Sequence, residues 1–157
     1  MSKIIRLLFV LLLVTLVTLL ALRWLVGRLS PPPGQLGVVE GRLAPCPDSP
    51  NCVSTFATTD LHQIAPLEYE GETAVAQAAI LAALNELPRI TIIRNEPGYI
   101  HAEARSALWG FVDDIEFTFD ETAGLIHFRS ASRLGYSDMG VNRARMETVR
   151  TAYQSIP

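Results

Sequence analysis

From Leu7 to Leu22 the chain carries no charge, no proline and no glycine, and only Thr15 and Thr18 interrupt the hydrocarbon side chains. Lys3 and Arg6 precede this run; Arg23, Trp24 and Arg28 come after it. A helix crossing the hydrocarbon core of a bilayer needs about 20 mostly apolar residues. Ile4 to Val26 supplies that length if Arg6 and Arg23 snorkel to the two interfaces and Trp24 sits in the aromatic belt. Ala21-Leu22-Arg23 offers no clean small-residue cleavage site. Cys46, behind Pro45 and far past the run, does not read as a lipid-bearing cysteine. Residues 1–29 are therefore expected to be a retained inner-membrane anchor, single-pass. The flanking charges, Lys3, Arg6 and the terminal amine against Arg23 and Arg28, nearly balance. The short N-terminal tail favours an inside N-terminus, which puts the rest of the chain on the periplasmic, extracytoplasmic side.

The remainder divides into a Pro/Gly linker, 30–45, and residues 46–157, enough for one domain and not two. The net charge of -3 hides an asymmetry. Four of the 13 basic residues lie at or before Arg28 and all 16 acids lie after it, so the residues beyond Arg28 carry 9 minus 16, or -7. That balance argues against nucleic acid and against an anionic bilayer surface as partners of the domain. Ser30-Pro31-Pro32-Pro33-Gly34 should begin an extended, semi-rigid spacer that holds the domain off the membrane. The only two cysteines, Cys46 and Cys52, enclose Pro47-Asp48-Ser49-Pro50-Asn51, good turn chemistry. In an oxidising compartment they should close a small disulfide loop. The alternatives are idle thiols or a reactive thiol; the spacing is neither a CxxC redox motif nor a zinc site.

Past the linker, Ile64 to Tyr69 reads as a short edge strand, because Pro66 excludes a central one. Thr73 should cap a helix running to Leu87 and ended by Pro88. Strands are expected next at Arg89–Glu96, Tyr99–Arg105, Val112–Asp120 and Leu125–Arg133. Asp138 should then cap a last helix reaching about Tyr153. The order β-α-β-β-β-β-α, behind an N-terminal transmembrane helix, predicts an α+β domain: a curved antiparallel sheet with a long C-terminal helix packed on it.

The hairpin between Val112 and Arg133 carries the sharpest inference. With Glu121 to Gly124 as its loop, Phe119 faces Ile126, Phe117 faces Phe128, Ile115 faces Ser130 and Asp113 faces Ser132, all on one side. The other side pairs Thr118 with His127 and Glu116 with Arg129, a cross-strand ion pair. Asp113, Ser130 and Ser132 thus stand where the pattern calls for apolar residues. The last helix repeats the anomaly: its apolar stripe is interrupted by Asn142, with Arg143 on its flank. These five residues form the candidate polar pocket. Two arrangements satisfy it, because buried polar groups must be paired. One is a closed network with Asp113 accepting from Arg143 or Arg105. The other is an open pocket whose arginines and helix N-terminus take an anion.

Three segments carry a resemblance: Cys46-Pro-Asp-Ser-Pro-Asn-Cys52-Val-Ser54, Gly110-Phe-Val-Asp-Asp-Ile-Glu116-Phe117, and the long irregular run from Arg129 through Asp138 and Asn142 to Arg145. Together they resemble domain-of-unknown-function family 1499 from about Cys46 to the C-terminus. The resemblance implies a domain found in bacteria and plastid-bearing eukaryotes, often behind a membrane anchor, with no established activity. The expected function is non-enzymatic: a membrane-anchored envelope protein binding a small or lipidic ligand in a sheet/helix pocket, with no cofactor and no metal. The alternative is a protein-interaction module of the envelope with a solid core, docking through its disulfide loop. A hydrolase is the weakest of the three. Its nucleophile–base material is Cys46 or Cys52 with His62, His101 or His127, and His101 and His127 read as solvent-facing.

Overall fold

A computed structural model describes residues 2–156; the outermost residues of the expected anchor and domain, Met1 and Pro157, lie outside it. The apolar run forms one helix, α1 (Lys3–Leu29), capped by Ser2, whose Oγ accepts from Ile5 N at 3.4 Å. Thr15 and Thr18 turn their hydroxyls back onto the carbonyls of Leu11 and Val14, so neither presents an unpaired polar group. No residue of α1 is buried, whereas Ser30, just past its end, is. The helix is long and apolar enough to cross a membrane. It stops at Ser30 because Pro31 disfavours a helical residue before it.

The rest is one antiparallel sheet with two helices on a single face. The strands are β1 (Cys52–Ser54), β2 (Leu67–Glu68), β3 (Ile90–Glu96), β4 (Tyr99–Arg105), β5 (Val112–Asp120) and β6 (Leu125–Ser132); the helices are α2 (Thr73–Glu86) and α3 (Val141–Gln154). The sheet order is β1-β6-β5-β4-β3, and β2 continues the edge beside β6 at Ile126 and Leu125. The β5–β6 register is the expected one, from Asp113 opposite Ser132 to Phe119 opposite Ile126. Ile80 and Leu84 of α2 and Met146 and Val149 of α3 close over Ile100, Ile115, Phe117 and Phe128, all fully or nearly fully buried.

The structure departs from the sequence reading: the edge strand read from Ile64 to Tyr69 shortens to Leu67–Glu68, and three further differences shape the site. The sequence does not announce β1: three residues beside a proline-rich loop become a strand only because the edge of β6 offers them a ladder. Thr73 does not cap α2. Glu72 holds the cap position, and the Thr73 hydroxyl bonds Glu121 Oε1 and Tyr69 OH at 2.9 and 3.0 Å.

The third concerns the linker, which is not an extended spacer. After Pro33 it folds back across the open face of the sheet. Val39 and Arg42 exchange backbone hydrogen bonds of 2.9 and 3.0 Å around Glu40 and Gly41, both at positive φ, which is the two-residue turn that reverses a chain most tightly. Gly37 N donates to Glu116 Oε1 at 2.7 Å, and Leu43 is buried. The linker owns apolar residues, Leu36, Val39 and Leu43 among them, that gain by covering protein rather than facing water.

The face so covered holds His101, 3% exposed, where strand alternation alone puts it in solvent.

Candidate functional site

The predicted polar cluster forms between β5, β6 and α3, with one substitution in its membership. Asn142 is fully buried at its centre. Its Oδ1 accepts from Ser130 Oγ at 2.6 Å and from Arg145 Nη1 at 2.7 Å. Its Nδ2 donates to Ser132 Oγ at 3.0 Å and to Asn51 O at 3.1 Å. Arg145 Nη2 then reaches Asp113 Oδ2 at 2.6 Å. Arg143 is not part of this set; it donates to Gln63 O and Leu61 O at 2.8 and 3.1 Å, at the rim. Helical geometry gives the reason. At 3.6 residues per turn, position 145 returns to within about 60° of 142, while 143 lies about 100° away. Asp113, Ser130, Ser132 and Asn142 come together; Arg143 does not, and the i+3 spacing is the signal that points to Arg145.

Around this cluster the interior is filled: Phe117, Phe128, Met146 and Val149 occupy the space between sheet and α3. Asp138 locks the start of that helix, its carboxylate accepting from Gly140 N and Asn142 N at 3.0 and 2.7 Å.

A second cluster, unforeseen in its extent, lies under the linker. Glu116 accepts from Tyr99 OH at 2.8 Å and pairs with Arg129 at 3.4 Å, the ion pair read from the register. Beside it, Arg133 forks onto Asp114 with Nε and Nη2 at 2.8 and 2.7 Å, reaches Glu103 at 2.6 Å and Ser30 O at 3.1 Å. His101 Nε2 meets Asp114 Oδ1 at 2.8 Å. Burial alone would lift the Asp114 pKa, but the hydrogen bonds from Arg133 and His101, with the Arg133 charge, hold it below the usual aspartate value. Burial, with the Glu116 carboxylate behind it, pushes the Tyr99 hydroxyl well above its ordinary value, so it stays a donor. Among the described residues, Arg129 Nε is the one buried side-chain N or O atom without a partner. An aspartate committed to a guanidinium fork leaves its histidine oriented but tied, an arrangement that stiffens a sheet face.

The disulfide loop borders the first of these clusters. Cys46 and Cys52 are bonded, with Cα atoms 5.6 Å apart. Asn51 anchors the loop: its Nδ2 donates to Gly135 O at 2.7 Å, and its carbonyl accepts from Ser132 N at 2.9 Å as well as from Asn142. Two adjoining recesses open here. One, about 580 Å3, runs from Gly34 to Pro45 along the folded-back linker; the other, about 410 Å3, is walled by the disulfide loop and residues 54–62. Pro45 and Phe56 belong to both. Phe56 stacks on His127 at 4.3 Å, and the Arg42 guanidinium lies over the same Phe56 ring at 4.6 Å. Burial lowers the His127 pKa, which keeps this stack from becoming doubly cationic near neutrality.

A family model described as a protein of unknown function, DUF1499, matches residues 42–153. The chain belongs to the DUF1499 family. No curated protein matches it. The DUF1499 span takes in the disulfide loop, both polar clusters and every strand, and begins at Arg42, the closing residue of the linker turn. α1 and residues 30–41 of the linker lie outside it.

Proposed function

We propose that this DUF1499 chain is a non-catalytic envelope protein, anchored by α1 as a single span with its domain on the extracytoplasmic side, that binds a small amphiphilic or lipidic ligand. The observation that carries the reading is the recess beneath the linker. At about 580 Å3 it falls within the range of small-molecule sites. Leu36, Val39, Leu43 and Phe56 give it apolar walls, and Arg42 supplies the one charged group of its lining. An elongated apolar body with an anionic head suits that lining. The filled, self-satisfied interface between sheet and α3 supports this location over the sheet/helix pocket expected from sequence. The Cys46–Cys52 bond supports an oxidising compartment. A net charge of -7 beyond Arg28 weighs against nucleic acid.

The second reading, a protein-docking module, has one feature in its favour: the disulfide loop is held rigidly by Asn51 while Pro47 and Asp48 stay exposed. Native mass spectrometry of the full chain released from detergent micelles separates the two. An added mass that disappears in both Arg42→Ala and Phe56→Ala is expected. An empty wild-type chain, or an added mass indifferent to both changes, refutes ligand binding in this recess and leaves the docking module.

A further inference from the structure

The end of the domain nearest α1 differs in chemistry from the far end. The β4–β5 loop, residues 106–111, lies against the helix: Arg23 Nη1 donates to Ala107 O at 2.9 Å and to Leu108 O at 3.2 Å. Gly110 comes close enough that a Cβ there would sit 3.5 Å from the Arg23 side chain. The loop is stapled shut by Ser106, whose N–H donates to Phe111 O at 2.9 Å and whose Oγ accepts from Phe111 N at 3.0 Å. Shut in this way, it turns Leu108 (65% exposed), Trp109 and Phe111 outward.

The loop 133–140 leaves the same end of the sheet, since Arg133 N donates to Val112 O at 3.0 Å and Ser132 pairs with Asp113. It exposes Tyr136 (77%) and Met139 (94%). Five large apolar side chains therefore face solvent together at one end of the domain, whereas Leu61, Val75 and Ile93 are exposed singly elsewhere.

Position along α1 says what they meet. Ile4 to Leu22 is 19 residues, about 28 Å of helix at 1.5 Å per residue, close to the thickness of a hydrocarbon core. Arg23 then stands at the boundary, and so do the carbonyls it holds. Trp24 is the next residue, and tryptophan favours that layer. Of the two tryptophans of the chain, Trp24 follows Arg23 and Trp109 follows Leu108, whose carbonyl Arg23 holds, while the Arg28 guanidinium lies over the Trp24 ring at 5.1 Å.

Charge is distributed along the same axis. Arg23, Arg28 and Arg89 are exposed at the anchor end, as is Arg105, which pairs with Glu103 at 2.7 Å. Of the acids there, Glu103 and Asp113 are paired and Asp138, two residues before the Gly140 cap of α3, accepts from Gly140 N and Asn142 N, leaving Glu86 and Asp48 exposed. At the opposite end Glu68, Glu70, Glu72, Asp120 and Glu121 are exposed, and Glu96 is exposed but paired with Arg94. An anionic surface repels the second end and accepts the first.

We propose that the loops 106–111 and 133–140 enter the interfacial layer of the membrane that holds α1, seating the domain on an anionic phospholipid surface. The inference rests on α1 being a membrane span. It reverses the sequence-based expectation that the domain stands clear of the bilayer and avoids an anionic one: the net charge is negative, but the densest group of exposed acids lies at the end away from the membrane.

The test uses the full chain in vesicles of phosphatidylcholine and phosphatidylglycerol whose acyl chains are brominated near the headgroup. Trp24→Phe leaves Trp109 as the sole tryptophan; Trp109→Phe leaves Trp24. Expected is blue-shifted, strongly quenched emission from both reporters, with Trp109 quenching reduced when Leu108→Ser and Tyr136→Ser are added. Quenching of Trp24 with Trp109 unquenched overturns this inference and leaves the anchor standing. Quenching of neither shows that α1 is not in the bilayer, and both fall.

Discussion

Arg143 and Arg145 stand two residues apart on α3, and the structure assigns them opposite importance. Arg145 pairs with Asp113 at 2.6 Å, with side chains only 12% and 11% exposed, and also bonds Ser130 and Asn142. Arg145→Ala would leave a carboxylate in low dielectric with no partner. Removing one member of a buried pair destabilises by about 3–5 kcal/mol. Arg143 makes two bonds to backbone carbonyls at the rim, and Arg143→Ala should cost about 1 kcal/mol, since water replaces it there. Urea unfolding of the full chain in mild detergent, monitored by near-UV circular dichroism, reads the difference. With a slope of about 2 kcal/mol per molar urea, Arg145→Ala should lower the midpoint by roughly 2 M and Arg143→Ala by about 0.5 M. Equal losses, or a larger loss for Arg143→Ala, would refute the assignment of the cluster.

The disulfide closes a loop of seven residues, so reduction, or Cys46→Ser with Cys52→Ser, should remove about 2 kcal/mol, read as a lower Tm in calorimetry. The Asp114 pKa is depressed in the folded state; the stability it contributes is present above the ordinary value of 3.8 and lost as pH falls below it toward the folded value. Asp114→Asn should therefore lower stability at pH 7 and flatten its decline as pH falls below the ordinary value of 3.8, and an unchanged acid limb in unfolding titrations would contradict this. Arg133→Lys keeps the charge but cannot span Asp114, Glu103 and Ser30 together; a loss of about 2 kcal/mol in the same urea assay is expected, and a neutral result would show that the fork is not what holds the linker's first residue.

The β5–β6 hairpin could be read from sequence because two local signals agree there: strict alternation of side chains and a loop ending in Gly124, which adopts the positive φ that closes it. That register brings Asp113, Ser130 and Ser132 to one face without any knowledge of tertiary contacts. Asn142 joins them because it breaks an apolar stripe. The choice of Arg143 over Arg145 fails on nearness in sequence, where angular position around the helix decides. What stays hidden is non-local. Nothing near Gly37 says that its N–H will meet Glu116, 79 residues away, and the alternation of charged residues in β4 and β5 reads as a wet face when the covering chain lies elsewhere in the sequence. β1 is hidden for the same reason, since Cys52 to Ser54 owe their conformation to β6.

The strap that crosses the open sheet face also sets where this protein can be cut. The family span starts at Arg42, yet Ser30 O caps the Arg133 fork and Gly37 N caps Glu116. A soluble fragment trimmed to the family boundary would leave the Arg133 fork and the Glu116 carboxylate each short of a partner and open His101, Glu116 and Arg129 to water. A fragment begun at Ser30 retains both contacts. The boundary of the recognisable motif and the boundary of the folding unit differ by a dozen residues, and recombinant work on this domain should respect the second.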